Sequence, residues 1–228
     1  GSDRRFISPL QTPHSADSSG ELARFTTAVR RGGHPILQLS KTFRVEQNSR
    51  DVIMELAVEN VSDGPESFTL SQSGPVGFRR EDLRWDDRHA YNFMSDDKIK
   101  AHTRQEVWGA EDHTLAFSRE GVSVVWSAVG NKYFGCIMAP NPIGSAAAAD
   151  FVRSADARTL FGEDVKDLGD LTVGWVIAPP APLAPKTRFA CAFTVYMGPR
   201  SPSDMVTAAD QRFRFEKIFA ADRSPCTF

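Results

Sequence analysis

Apolar and polar residues alternate with period two along much of the chain. Over residues 36–45, Leu37, Leu39, Lys41, Phe43 and Val45 share one face, while Gln38, Ser40, Thr42 and Arg44 share the other. That is the pattern of a strand with one side on a core and one side in water. An earlier run, residues 25–30, is joined to it by Arg31-Gly32-Gly33-His34, a hairpin signal. Val52, Met54, Leu56 and Val58 repeat the alternation with Glu55 and Glu59 opposite, and Ser62-Asp63-Gly64-Pro65 reads as a turn. Further strands are expected over residues 67–72, 122–129, 132–138, 171–178 and 187–197. Prolines 179, 180, 182 and 185 punctuate the last pair. The class expected is all-β, an antiparallel two-sheet sandwich.

Two stretches break the rhythm. Residues 79–114 are long, charged and aperiodic, and the part from Trp85 to Thr114 is expected to be irregular and to lie on the surface. The Ala-rich stretch over residues 144–164 reads as a short helix. A firmer helix is expected over residues 202–210, with Ser201 as cap, Pro202 in the first turn and Asp204 completing a capping-box-like spacing. Beyond it, Phe213 and Phe215 alternate with Arg212 and Arg214 in what reads as an extended stretch. One long helix would spread Phe213, Phe215, Ile218 and Phe219 around its circumference. Residues 1–20, rich in Ser, Pro and Asp, read as a loose leading segment, residues 21–200 as the sandwich, and 201–228 as a C-terminal helix and linker.

Composition narrows the function classes. At 228 residues, 41% apolar and 25% charged, the chain can bury one sizeable core. A net charge of −2 with mixed signs and no basic stripe gives no case for nucleic acid. Cys136, Cys191 and Cys226 are widely spaced and fit neither a disulfide framework nor a zinc site; Cys136 and Cys191 read as small core residues. No apolar run reaches the roughly 18 residues that cross a bilayer.

Candidate chemistry is sparse. His89, His102 and His113 stand among many carboxylates, but without metal-ligand spacing. No nucleophile elbow or phosphate loop is present. Asn60-Val61-Ser62 matches a glycosylation acceptor, a frequent tripeptide. Neither a cofactor nor a metal is expected.

The motifs with most information lie late in the chain. "VSVVWSAVGNKYFGCIMAP" carries Trp126, Ala128, Lys132, Tyr133, Phe134 and Pro140. "YMGPR" carries Tyr196, Gly198, Pro199 and Arg200, and an earlier "KTF" carries Lys41, Thr42 and Phe43. In this order they resemble the large periplasmic domain of the YidC membrane-protein insertases. Ala184-Pro185 stands where that family has a Pro-Gly turn, and the family has more strands before "KTF", so the chain is either shortened or the later part of such a domain. The resemblance implies a β-supersandwich, the two-sheet fold of galactose mutarotases. It also implies a non-catalytic scaffold on the periplasmic side of the bacterial inner membrane, held by flanking transmembrane helices. Its partners would be Sec translocon components and nascent membrane proteins. The alternative is a carbohydrate-binding or sugar-processing supersandwich, which needs a His and carboxylates converging in a cleft. Lys132, Tyr133 and Phe134 are expected to pack on the sandwich, with the lysine stem at the strand mouth. The sharper reading makes them, with Phe213, Phe215, Ile218 and Phe219, a candidate interaction surface.

Overall fold

Gly32 and Gly33 take φ of +57° and +85°, a conformation open to glycine and matched to the twist of a two-residue hairpin. They join β2 (Leu22–Arg31) to β3 (His34–Val45), with Arg31 opposite His34. The structure, a computed structural model, describes residues 15–19, 22–45, 50–78, 88–117, 120–141, 151–160, 171–201, 203–205 and 208–221. From this hairpin the large sheet grows through β1 (Ser15–Ser19), β4 (Asp51–Asn60), β6 (His89–Met94), β7 (Ile99–Thr103), β9 (Val124–Gly130), β10 (Phe134–Asn141) and β13 (Arg188–Pro199). Its strand order is β1-β2-β3-β4-β13-β10-β9-β6-β7. A small sheet of order β5-β12-β11-β8 comprises β5 (Leu70–Ser73), β8 (Thr114–Ala116), β11 (Val152–Thr159) and β12 (Leu171–Ile177). Every pairing is antiparallel.

The central strands of the large sheet are apolar on both faces. Towards the small sheet, Met54, Leu56, Val129, Met138 and Phe193 pack on Ala155, Ala157, Val173 and Trp175. The rings of Trp175 and Phe193 lie 5.6 Å apart. Cys136 and Cys191 are buried here, and burial pushes both thiols up to about 12, with the charge of Glu55 adding to the effect on Cys191. On the other face, Tyr91, Phe93, Trp126, Ile137 and Tyr196 are covered by Met205, Phe213, Phe215 and Ile218.

That cover differs from the expected helix followed by an extended stretch. The helix α2 runs over Ala208–Phe213, further along the chain, and a 3-10 helix over Phe215–Ala221 follows it; Pro202, Val206 and Thr207 lie outside the described residues. Between the two helices Arg214 takes φ of +58°. This break resolves the circumference problem: two short helices at an angle turn Phe213, Phe215 and Ile218 onto one sheet face, where they are 7%, 0% and 0% exposed. Trp126 Nε1 donates to the Phe213 carbonyl at 3.0 Å, and Arg214 pairs with Asp97 in the β6–β7 turn at 2.5 Å.

Three other expectations are corrected. The stretch from residue 85 to 114, in its described part from Arg88, contains the buried strand β6, strand β7 and the helix α1 (Arg104–Gly109). Thr103 and Glu106 close a capping box at the start of α1, and Val107 is buried. The described part of the Ala-rich stretch is strand β11, because Ala155 and Ala157 are small enough to lie under the large sheet and tertiary burial overrides helix propensity. Residues 15–19 of the leading segment pair with β2. Asn60, the glycosylation candidate, is 0% exposed, and its amide donates to the carbonyls of Gly64 and Leu183, both at 2.8 Å.

Phe215→Ala should cost about 3–5 kcal/mol in urea unfolding, whereas Tyr133→Ala, at a 54% exposed position, should stay within about 0.5 kcal/mol. Equal costs would contradict the assignment of Phe215 to a second core.

Candidate functional site

Lys132 and Tyr133 form a turn, and Phe134 opens β10 with its ring outside the core. Asn131 Oδ1 accepts from the backbone N–H of Tyr133 at 3.1 Å and of Phe134 at 2.9 Å, so the chain turns over Asn131–Phe134 and the rings stand out. Both are about half exposed, contrary to the expectation that they pack the sandwich. Lys132 lies over the Tyr133 ring at 5.3 Å. Phe213, Phe215 and Ile218 take the opposite course and are buried, with Phe219 packed against them.

Arg200 joins the two groups. Its backbone N–H donates to the Tyr133 carbonyl at 2.7 Å. Its guanidinium donates to the Asn131 carbonyl, the Tyr91 hydroxyl and the Ile218 carbonyl at 2.9, 3.1 and 3.0 Å. The residues singled out in the sequence are thus held around one arginine, with aromatic rings outside and a helical cover inside. The arrangement is a structural clamp.

A different place gathers chemistry. At one end of the sandwich the edge strand β7 of the large sheet faces the edge strand β8 of the small one. Between them opens a cleft of about 170 Å³ whose lining includes Asn92, Met94, Lys98, Lys100, His102 and Phe117. The alternation of β7 places Lys100 and His102 on one face, with Lys98 just before the strand, and cross-strand register sets Asn92 opposite Lys100 and Ala90 opposite His102. His102 stacks on the buried Phe117 ring at 5.7 Å and 18°. Burial lowers the His102 pKa below the ordinary histidine value; the charge of Glu106 acts against this, and Lys100 and His89 add to it. Both the Thr103 N–H and its hydroxyl donate to one oxygen of Glu106, which ties that carboxylate to the start of α1. Lys98 pairs with Asp96 at 3.6 Å.

A neutral imidazole can donate from one ring nitrogen and accept at the other. With two lysine ammonium groups and an asparagine amide it forms a donor–acceptor set suited to a polyhydroxylated ligand. Among the described residues no three His, Cys, Asp or Glu side chains stand together as a metal site, and no helix is long and apolar enough to cross a membrane.

No family model matches the chain, and no curated protein matches it. Solved structures do. A galactose mutarotase related enzyme from Lactobacillus acidophilus superposes with a TM-score of 0.51 at 10% identity, over 81% of this chain and 70% of its own. A galactose mutarotase-like protein from Lactobacillus casei does so with a TM-score of 0.53 at 10% identity, over 82% and 72%. The fold is therefore the galactose-mutarotase-like two-sheet sandwich, as the sequence motifs implied.

The expected role is corrected at the same point. The structural neighbours are galactose mutarotase-related proteins, one of them named an enzyme, and this overturns the reading as a non-catalytic insertase domain. The expectation of no enzyme activity falls with it. The motifs behind that reading are features of strands, turns and the Arg200 clamp, and such features follow a scaffold through many functions.

His102 titrates below the usual midpoint of about 6.5 by NMR, on this account. Because its folded-state pKa is depressed, the unfolded chain binds the proton first as pH falls. Its contribution to stability is therefore full above about pH 6.5 and is lost as pH drops from there through the folded pKa. His102→Gln should flatten this part of the stability profile; an unchanged profile would contradict the assignment.

Proposed function

We propose that this protein is a carbohydrate-recognising member of the mutarotase-like fold, binding a monosaccharide or a sugar-chain end in the cleft between β7 and β8. The observation that carries the reading is the half-buried, neutral His102, set on the Phe117 ring among Asn92, Lys98 and Lys100. Sugars ask for such a set: hydroxyls that both donate and accept, met by fixed polar groups beside a flat ring. The size of the cleft, about 170 Å³, falls below the roughly 300 Å³ of drug-sized pockets and favours one sugar ring. The kinship of motif with insertase periplasmic domains is, on this reading, one of scaffold.

A second reading, anomer interconversion, is favoured by the neutral His102 beside the Lys100 ammonium. His102 would accept the proton of the anomeric hydroxyl while an ammonium gives one to the ring oxygen. The bond from the anomeric carbon to the ring oxygen breaks to leave the open-chain aldehyde, and reclosure on the other face with the protons returned gives the second anomer. No cofactor is needed for this exchange.

Isothermal titration with D-galactose and D-glucose tests the binding, and polarimetry on a freshly dissolved single anomer tests the catalysis. We expect millimolar or tighter binding that His102→Ala weakens at least tenfold, by loss of one or two buried hydrogen bonds. Binding unchanged in that variant would place the ligand elsewhere. No binding of any monosaccharide would end the carbohydrate reading.

A further inference from the structure

Asn92 and Ser127 face each other across β6 and β9, on the side of the large sheet that looks towards the small one, and are 2% and 0% exposed. The Asn92 amide nitrogen donates to Met94 Sδ at 3.0 Å. Reversing the amide would set its oxygen against sulfur and lose that bond, so the oxygen is the remaining atom. Among the described residues, Asn92 Oδ1 and Ser127 Oγ have no hydrogen-bond partner, and neither does the indole N–H of Trp175, on strand β12, which packs against β6 and β9. Buried polar atoms without partners are uncommon and costly. Two of these lie side by side, and one of the two, Asn92, lines the cleft.

We infer that Asn92 and Ser127 form an inner subsite of the cleft that reads one ligand hydroxyl and so determines which sugar is held. The inference rests on the carbohydrate reading of the His102 cleft. His102 and the lysines hold the outer part of the ring. One hydroxyl reaches inward past Met94 and donates to Asn92 Oδ1, while Ser127 Oγ either accepts from or donates to the same group. A carbonyl or a deoxy carbon at that position supplies no donor and leaves Asn92 Oδ1 unmatched. A site built to pair a buried hydroxyl discriminates strongly against an analogue that lacks it, because the protein group is then left bare. The substrate class is thus a sugar with an inward-directed hydroxyl.

The test is a binding cycle with the full chain. D-galactose, D-glucose and their monodeoxy analogues are titrated into the wild-type protein, Asn92→Leu and Ser127→Ala. Leucine has nearly the shape of asparagine and makes no hydrogen bond. We expect one deoxy analogue to bind the wild-type protein about tenfold or more weaker than its parent sugar. The same analogue should bind Asn92→Leu as well as the parent does. Ser127→Ala, a smaller change, should narrow the same gap and keeps the test available if Asn92→Leu does not fold. Sugar binding with the same deoxy penalties in all three proteins would overturn the inner subsite and leave the carbohydrate reading standing; the orphaned atoms would then hold ordered water only. No sugar binding to the wild-type protein would overturn both.

Discussion

The central strands of the large sheet are apolar on both faces, and the rest of the structure depends on covering both. Strands β6, β9, β10 and β13 send Ala90, Val129, Met138 and Phe193 to one side, and Tyr91, Ala128, Ile137 and Tyr196 to the other. The small sheet covers the first side. The second is covered by two short C-terminal helices, broken at Arg214 and fixed by Trp126, Arg200 and Asp97. Burying a large aromatic side chain contributes on the order of 2–3 kcal/mol, so the aromatic cover is a substantial share of what holds those strands flat.

The division of the faces decides where chemistry can occur. The side under the C-terminal cover is filled by packed side chains, and Arg200 beside them is committed to carbonyls and a tyrosine. The small sheet has four strands against the nine of its partner, and among the described residues a cleft opens beside β8. There the last strand of the large sheet carries Lys98, Lys100 and His102 to an edge, where half-burial can shift a pKa while a ligand still enters. Lysines are common on edge strands for keeping other strands away; the orphaned Asn92 and the stacked His102 separate this edge from that ordinary use.

Much of the fold was legible in the sequence. The Gly32-Gly33 hairpin and the alternation over β3 and β4 follow from a period-two pattern with one polar face, and β9, β10, β12 and β13 from apolar runs bounded by turn residues. Strand β6 did not show itself, because His-Ala-Tyr-Asn-Phe-Met is buried on both faces and so has no polar period, and charged neighbours hid it further. The Thr103-Arg104-Gln105-Glu106 capping box was present as a signal for α1 and was missed. Tyr133 and Phe134 looked like strand residues. The Asn131 side chain makes Tyr133 a turn residue and leaves Phe134, the first residue of β10, with its ring outside the core, a local competition that composition does not reveal. The cleft was less legible still. It joins residues of β6 and β7 to β8 through the closing of two sheets, and His102 looked like one of several scattered histidines. Its meaning comes from Phe117 beneath it and Asn92 beside it, neither of which carries a motif.

The central claim is that the open edge between β7 and β8 is the functional site, and that the exposed turn at Lys132 and the C-terminal cover are scaffold. The most direct measurement is an amide chemical-shift map of the isotopically labelled protein as D-galactose is added. The account predicts shifts concentrated at Asn92, Lys100, His102 and Phe117, with Tyr133, Phe134 and Phe215 unmoved. Shifts confined to the Lys132 turn, or to the outer face of β3, β4 and β13, would contradict it.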